Sequence, residues 1–200
     1  MNKIAAFGEI LFDIYPNSKN LGGAPLNFIY HINKLTGNGK IISRVGKDPM
    51  GEEALNFLTS KGLLIDDIQT DEEHETGTAV ISLNQKGEPT FNIEENRAYD
   101  FIKINEDTSD DILKEVTCLY YGTLAQRSDV SRNSLQTFFN KPIKYFCDIN
   151  IRQKFYTKEI LSSSLTAADV VKLNLDELKL LDELFIGGQF DVYSGSKKLM

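Results

Sequence analysis

Strand-like and helix-like patterns alternate along most of this chain, and that alternation restricts it to an α/β layer architecture with a largely parallel sheet flanked by helices. Lys3 to Phe7 predicts a strand ending at Gly8, Pro25 to Leu35 a helix closed by Thr36-Gly37, Ile41 to Val45 a second strand, and Gly51 to Ser60 a helix stopped at Gly62. The theme repeats with helix Ser109 to Val116 before strand Cys118 to Tyr121, and helix Ser131 to Phe139 before strand Tyr145 to Cys147. Helix Lys158 to Leu165 before strand Val170 to Leu173, then helix Asp176 to Leu184, completes the series. With 200 residues, 41% of them hydrophobic, the chain can bury one sizeable core, so a single domain over 1-200 is the expectation.

Three segments break the rhythm. Thr78 to Leu83 and Thr90 to Ile93 are alternating β patterns around Asn84-Gln85-Lys86-Gly87, which predicts a hairpin, and Leu11 to Tyr15 is a short strand with no helix before the next turn. Such strands fit poorly into a βαβ succession. Together they predict a small antiparallel sheet near 11-15 and 78-93 that projects from the main one as a lid. The last residues, IGGQFDVYSGSKKLM, predict a turn opening another amphipathic helix, with Phe190, Val192, Tyr193 and Leu199 available to bury. No strand follows, so the α/β pattern looks interrupted.

A net charge of -7 offers no electrostatic gain to a nucleic acid or an anionic membrane surface as the main partner. Cys118 and Cys147 are too few for a disulfide framework and lie in apolar runs, TCLYY and KYFCD, as buried reduced thiols do. Glu9 and Asp13 interrupt the N-terminal apolar stretch, and no run is long enough to span a bilayer. A soluble cytoplasmic protein without a metal or redox centre built on cysteine is the expectation.

The glycine pair in LGGAPLN, residues 21-27, is not a common phosphate loop. No segment supplies G-x-x-x-x-G-K-[ST], and the lone G-x-G, Gly37-Asn38-Gly39, follows a helix and lacks the third glycine of a dinucleotide fingerprint. Pro25 suits the first helical turn, and Gly22-Gly23 leaves backbone amides unshielded, so a ligand can approach closely. Asn27 offers both a donor and an acceptor, as a hydroxyl does, and no charge for a phosphate. The local chemistry points to a neutral polyol, or else to nothing more than a conformationally demanding turn before a helix.

The string GEILFD, then GGAPLN, then Val45-Gly46-Lys47-Asp48-Pro49-Met50-Gly51, resembles the N-terminal part of the PfkB, or ribokinase-like, family of carbohydrate kinases. FNIEENRAYDFI, GTLAQRSDVSR, CDINIRQKFY and VKLNLDEL extend the resemblance over nearly the whole chain and bring it nearest the fructokinase-like branch. The resemblance implies a sheet sandwiched by helices, a β lid over a small-molecule sugar, and phosphorylation of a sugar hydroxyl with Mg-ATP as co-substrate and no organic prosthetic group. Fructose or a related sugar is the implied substrate; ribose, a nucleoside and 2-keto-3-deoxygluconate stay open. Lid-to-lid packing makes a homodimer the candidate assembly.

Asp13 matches the family position that grips sugar hydroxyls, as do Gly22, Gly23 and Asn27. A carboxylate accepting from two adjacent hydroxyls is a strong, charge-assisted anchor; by itself Asp13 reads first as a solvent-facing residue before the Tyr15-Pro16-Asn17 turn, and the resemblance reverses that order. Arg97 and Tyr99 follow the lid hairpin as candidate sugar contacts, and Phe91 in the lid strand is a candidate stacking partner. Asp148, Asn150 and Arg152 alternate, so on a continuing strand they share one face at its C-terminal end, where open α/β sheets place ligands. Arg152 is a candidate phosphate contact, with an Asp148–Arg152 ion pair as the plain alternative. Asn174 and Glu177 match the family's N-x-x-E element, with Glu177 acting on magnesium indirectly. The same pair is a capping box, and a helix N-terminus suits both readings. His31 and His74 show no spacing for a metal or a triad.

The family's catalytic base is the Asp of a late T-x-G-A-G-D motif, whose amides also form an anion hole. This sequence contains no Gly-Asp dipeptide at all. The expectation is therefore an N-terminal, truncated portion of a sugar kinase, with the C-terminal part of the fold absent and the base and adenine site expected beyond Met200. Such a chain keeps the sugar grip and is inactive alone. A non-catalytic sugar-binding or regulatory remnant is the competing reading.

Overall fold

The computed structural model describes residues 3–83 and 89–187, the side chains of Leu83, Pro89 and Phe91 excepted. Ten strands and six α-helices are described: β1 (Lys3–Phe7), β2 (Leu11–Tyr15), β3 (Ser18–Gly22), α1 (Ala24–Thr36), β4 (Gly39–Gly46), α2 (Pro49–Ser60), β5 (Ile68–Asp71), β6 (Gly77–Leu83), β7 (Pro89–Ile93), α3 (Glu106–Leu113), β8 (Val116–Gly122), α4 (Asp129–Gln136), β9 (Lys144–Asp148), α5 (Lys158–Ala167), β10 (Val170–Lys172) and α6 (Leu175–Phe185). The hairpin tip at 84–88 and the expected helix over 188–200 lie outside the described residues.

The large sheet has six strands in the order β10-β9-β8-β1-β4-β5, and every described pair in it is parallel. Along β1 the side chains alternate between two cores. Ala5 and Phe7 join the cluster built with Ile112, Leu135, Leu161 and Leu181 from α3 to α6 and Phe138 from the turn after α4, whereas Ala6 joins the cluster with Leu26, Ile29, Ala54 and Leu58 from α1 and α2. The period-2 alternation of a strand thus glues a helical layer to each face. Phe7 packs edge-on against Phe138, ring centroids 6.2 Å apart.

The chain leaves β1 toward β4 on one side and later returns to place β8 on the other. β1 is thus the switch point of the sheet, and the crevice beyond its carboxyl end is where such sheets receive ligands.

The second sheet has the order β3-β2-β6-β7. It is mixed rather than antiparallel as expected: β2 pairs antiparallel with β3 but parallel with β6, which pairs antiparallel with β7. The physical reason is connection length. β2 and β6 are separated by two helices and two strands of the main sheet, which is ample for a parallel crossover, whereas a tight turn allows only antiparallel pairing.

Most predicted elements appear within a few residues of their expected ends. Val116 is a correction: it begins β8 instead of closing a helix, because its side chain is buried beside Leu119 and Tyr121 and α3 already stops at Leu113. β3 and β5 are additional strands that periodicity did not predict.

Candidate functional site

β2 carries Leu11 and Asp13 toward a cleft and Phe12 into the core behind it, so the strand's alternation decides which residues a ligand meets. The cleft, about 180 Å³, is lined by Glu9, Leu11, Asp13, Gly23, Ala24, Asn27, Ala79, Ile93, Leu124, Asn150 and Arg152. Its floor is the carboxyl end of β1, one wall is the first turn of α1, and its roof is the second sheet. Leu11, Ala79, Ile93 and Leu124 make part of the lining apolar, leaving Asp13, Asn27, Asn150 and Arg152 as a few convergent polar groups.

The glycine pair is used for close approach. Gly23 has φ +112°, and a methyl group there would lie 2.5 Å from the Glu9 carbonyl oxygen. At Gly22 a methyl would sit 3.1 Å from Asp13 Oδ2, so the bare backbone of β3 leaves room for that carboxylate. Helix α1 then starts without a side-chain cap, with Pro25 in its first turn. Asn27 is exposed at the cleft wall, free to offer its amide. Burial raises the Asp13 carboxyl's pKa above the usual carboxylate value, and the positive charge of Arg152 opposes that shift.

Asn150 and Arg152 reach the cleft by a different route from the one their alternation predicts. β9 ends at Asp148, and Asn150 and Gln153 take left-handed φ values of 39° and 49°, so the three residues do not continue one strand face. Asp148 does not form the alternative ion pair with Arg152. Its carboxylate accepts from Lys172 Nζ at 3.0 Å and from the Tyr120 hydroxyl at 2.8 Å, and its partner is not Arg152. Arg152 has no ion-pair partner among the described residues and stands exposed between this cleft and a broader groove of about 570 Å³ lined by Phe28, Tyr120, Phe146, Asp148 and Lys172 among others. An unpaired guanidinium at that junction can meet an anion without first breaking a bond.

The loop bearing these residues is pinned from both sides. Ile151 N–H donates to Glu177 Oε1 at 2.9 Å, and Ile93 N–H in the second sheet donates to Gln153 Oε1 at 2.8 Å. Glu177 also accepts from Asn174 N–H at 2.7 Å, while Asn174 Oδ1 accepts from Glu177 N–H at 2.9 Å. The capping box at the start of α6 is therefore real, and Glu177 is buried with both carboxylate oxygens on backbone donors. No group of three or more His, Cys, Asp or Glu side chains suited to a metal occurs among the described residues. The Glu177 carboxylate is thus occupied by the Ile151 and Asn174 amides.

Arg97 and Tyr99 are not brought into the cleft. Arg97 pairs with Glu94 and Glu75 at the root of the second sheet, and Tyr99 is fully buried, filling the space where a side chain at Gly77 would otherwise stand. Arg127 ties this root together: it donates to Asp100 and to the Tyr99 hydroxyl, each at 2.8 Å, and to the Glu94 carbonyl at 2.6 Å. Phe91 belongs to β7, but its side chain is outside the described residues. His74 stacks on Phe101 beside Asp71, and His31 is exposed in the broad groove. Cys147 is buried, its thiol pushed up to about 12 by burial, whereas Cys118 is only half-buried.

The V-G-K-D-P-M-G string turns out to hold the root of the second sheet. Asp48 caps α2 by accepting from Gly51 N–H at 2.8 Å and also accepts from Thr76 N–H at 2.7 Å and Thr76 Oγ1 at 2.9 Å. A methyl at Gly51 would lie 2.0 Å from the Gly46 carbonyl oxygen, and one at Gly46 would run into the Asp48 carboxylate and the Thr76 amide, so close contact requires glycine at both positions.

Glu9 is the cleft residue that sequence reasoning missed. It is 3% exposed, and Ala24 N–H donates to its Oε1 at 3.1 Å. Burial raises its pKa to about 7, against hydrogen bonds from its own and the Ala24 amide and the charges of Arg152 and Arg127. The available signal was an acidic residue directly after a buried strand, at the end of the sheet where ligands bind.

Comparison with known proteins agrees with this geometry. The model of the pfkB family carbohydrate kinases matches residues 1–185. The fructokinase of Escherichia coli is 30% identical over 194 residues, covering 90% of this chain and 62% of that protein, and the probable fructokinase-5 of Arabidopsis thaliana is 25% identical, covering 89% and 61%. Among solved structures, a sugar kinase of Pyrococcus horikoshii in complex with ATP superposes with a TM-score of 0.80 at 25% identity, over 90% of this chain and 66% of that one. A fructokinase of Xylella fastidiosa with bound ATP gives 0.83 at 22% identity, over 100% and 65%. The chain spans about three fifths of the length of the curated relatives it matches, 61% and 62% for these two. With its parallel six-stranded sheet, smaller mixed sheet and matching motifs, the chain belongs to the pfkB family of carbohydrate kinases.

Proposed function

We propose that this chain is the sugar-binding part of an ATP-dependent sugar kinase, with fructose or a closely related sugar as its substrate. The observation that carries the reading is the convergence of Asp13, Asn27 and the bare Gly23 backbone in one cleft at the carboxyl end of β1, roofed by the second sheet. Asp13 accepts from adjacent sugar hydroxyls, Asn27 donates to one and accepts from another, and the Gly22-Gly23 backbone lets the sugar approach. Arg152, at the junction of the two openings and without an ion-pair partner among the described residues, meets the phosphoryl group or another anionic part of the reactants.

Transfer itself needs more than a grip. The attacking hydroxyl must lose its proton, and developing charge on the phosphoryl group needs fixed donors and magnesium, which neutralises the phosphate oxygens. The T-x-G-A-G-D motif that supplies the base in this family does not occur among these 200 residues. The proposal is accordingly that the 200-residue chain binds the sugar and does not phosphorylate it, and that the whole protein does both, in the cytoplasm, as a homodimer joined through the second sheet. Magnesium then arrives with the nucleotide, and Glu177 influences it only by shaping the loop around Ile151.

The test is a sugar panel of D-fructose, D-ribose, D-glucose and 2-keto-3-deoxygluconate. Calorimetry reads binding, and mass spectrometry after incubation with ATP and magnesium reads product. Binding without product is expected of the 200 residues, and sugar phosphate is expected once the reading frame is extended to a G-A-G-D motif. Sugar phosphate made by the 200 residues alone would refute the non-catalytic part, and binding of none of the four sugars would refute the sugar reading.

A further inference from the structure

The floor of the cleft carries a second carboxyl group that the sugar grip described above does not use. Glu9 follows β1 directly, is 3% exposed, and lines the same cleft as Asp13. The described residues provide only two donors to its carboxyl, the Ala24 N–H at 3.1 Å from Oε1 and its own backbone N–H. A carboxylate has room for about four. A buried carboxyl with spare acceptor capacity, facing a cleft sized for a small polyol, is short of the hydroxyl donors that such a ligand brings.

We propose that Glu9 is a second hydroxyl acceptor in the sugar cleft, and that it serves in its ionised form, so that sugar binding expels its proton. The inference rests on the sugar-binding reading and adds a binding residue and a proton to it. Burial keeps the free group protonated up to about pH 7. A sugar hydroxyl donating to the carboxylate replaces part of the solvation that burial removed and so favours the ionised form.

The groups that face Glu9 come from several elements. Arg152 on the loop after β9 and Arg127 on the 3-10 turn after β8 both favour its ionisation. Tyr120 of β8 and Tyr99 of the turn after β7 each feel its charge, and their own buried phenols stay protonated far above neutral pH. Asp13, across the cleft on β2, is itself raised by burial but keeps Arg152 beside it. The two carboxyls therefore differ in their surroundings: Asp13 is half-buried with Arg152 beside it, whereas Glu9 is buried and becomes an anion when the sugar arrives.

If only the ionised form binds sugar, the competent fraction is about one in eleven at pH 6 and ten in eleven at pH 8, which makes the dissociation constant about tenfold weaker at pH 6. Calorimetric titration of the 200-residue chain with the same four sugars, at pH 6, 7 and 8 and in buffers of different ionisation enthalpy, reads both the affinity and the protons released. The expected result is a tenfold gain from pH 6 to 8 with about half a proton released per sugar at pH 7, and a flat profile without release for Glu9→Gln. Sugar binding by the wild type with no proton release and no pH dependence overturns the Glu9 assignment while leaving the sugar reading standing. Binding of none of the four sugars at any pH overturns the sugar reading, and the Glu9 assignment with it. Wild-type binding without proton release overturns the assignment whether or not Glu9→Gln folds, and the variant separates Glu9 from Asp13 as the source of any proton released.

Discussion

Replacing Glu9 by Gln should change how stability depends on pH, by an amount the structure fixes in sign and scale. A carboxyl at pKa about 7 in the folded chain and 4.5 in the unfolded one binds more protons when folded. Its contribution to stability is fully present below pH 4.5 and is lost as pH rises through 7. The difference of about 2.5 pKa units corresponds to roughly 3 kcal/mol, most of it developing between pH 5 and 8. Gln keeps an acceptor for the Ala24 amide but cannot ionise, so it escapes that loss. Urea unfolding followed by circular dichroism at pH 5, 6.5 and 8 should find Glu9→Gln gaining about 2 to 3 kcal/mol on the wild type across the series. Other titrating groups cancel in the difference. A wild-type-minus-variant difference that stays constant from pH 5 to 8 would show that the Glu9 carboxyl is not held protonated by burial, and the reasoning would fail.

Gly23→Ala would force a Cβ to 2.5 Å from the Glu9 carbonyl oxygen at φ +112°, and a loss of about 3 kcal/mol in thermal or urea unfolding is expected. Asp48→Ala removes the α2 cap and both Thr76 bonds, for about 2 to 3 kcal/mol. Although burial works to raise the Asp48 carboxyl, its bonds from Thr76 and Gly51 outweigh that and lower it, so this contribution is present above pH 3.8 and lost as pH falls through the folded-state value. Glu177→Ala leaves the Ile151 and Asn174 amides without their acceptor, so about 2 kcal/mol and faster amide exchange at Ile151 are expected.

The main sheet and its helices were legible because Pro25, Gly37 and Gly62 punctuate clean periodic runs, and because the β1 pattern marks two buried faces. β3 was not, since SKNLG is mostly exposed and polar and is held only as the partner of β2, and β5 has just four residues with no clear alternation. Parallel pairing of β2 with β6 joins strands more than sixty residues apart, which no local pattern encodes. In the site, Asp13, Gly23 and Asn27 could be read from their motif and residue chemistry. Arg97 and Tyr99 could not be placed correctly, because nearness to the lid in sequence does not tell the cleft side of its root from the buried side. Glu9 became visible only with α1 folded over it, since its burial is a property of the packing and not of the string GEILFD.

In the proposed function Asp13 anchors a sugar in the cleft between β1, α1 and the second sheet. The most direct test of that anchoring is calorimetric titration of the wild type and Asp13→Ala with D-fructose, D-ribose, D-glucose and 2-keto-3-deoxygluconate at pH 8. Saturable binding of at least one of the four sugars by the wild type is expected, with at least tenfold weaker binding by Asp13→Ala, the loss for a charge-assisted hydrogen bond of about 1.5 to 3 kcal/mol. Equal affinity in the two chains, or no binding of any of the four sugars by the wild type, would contradict it.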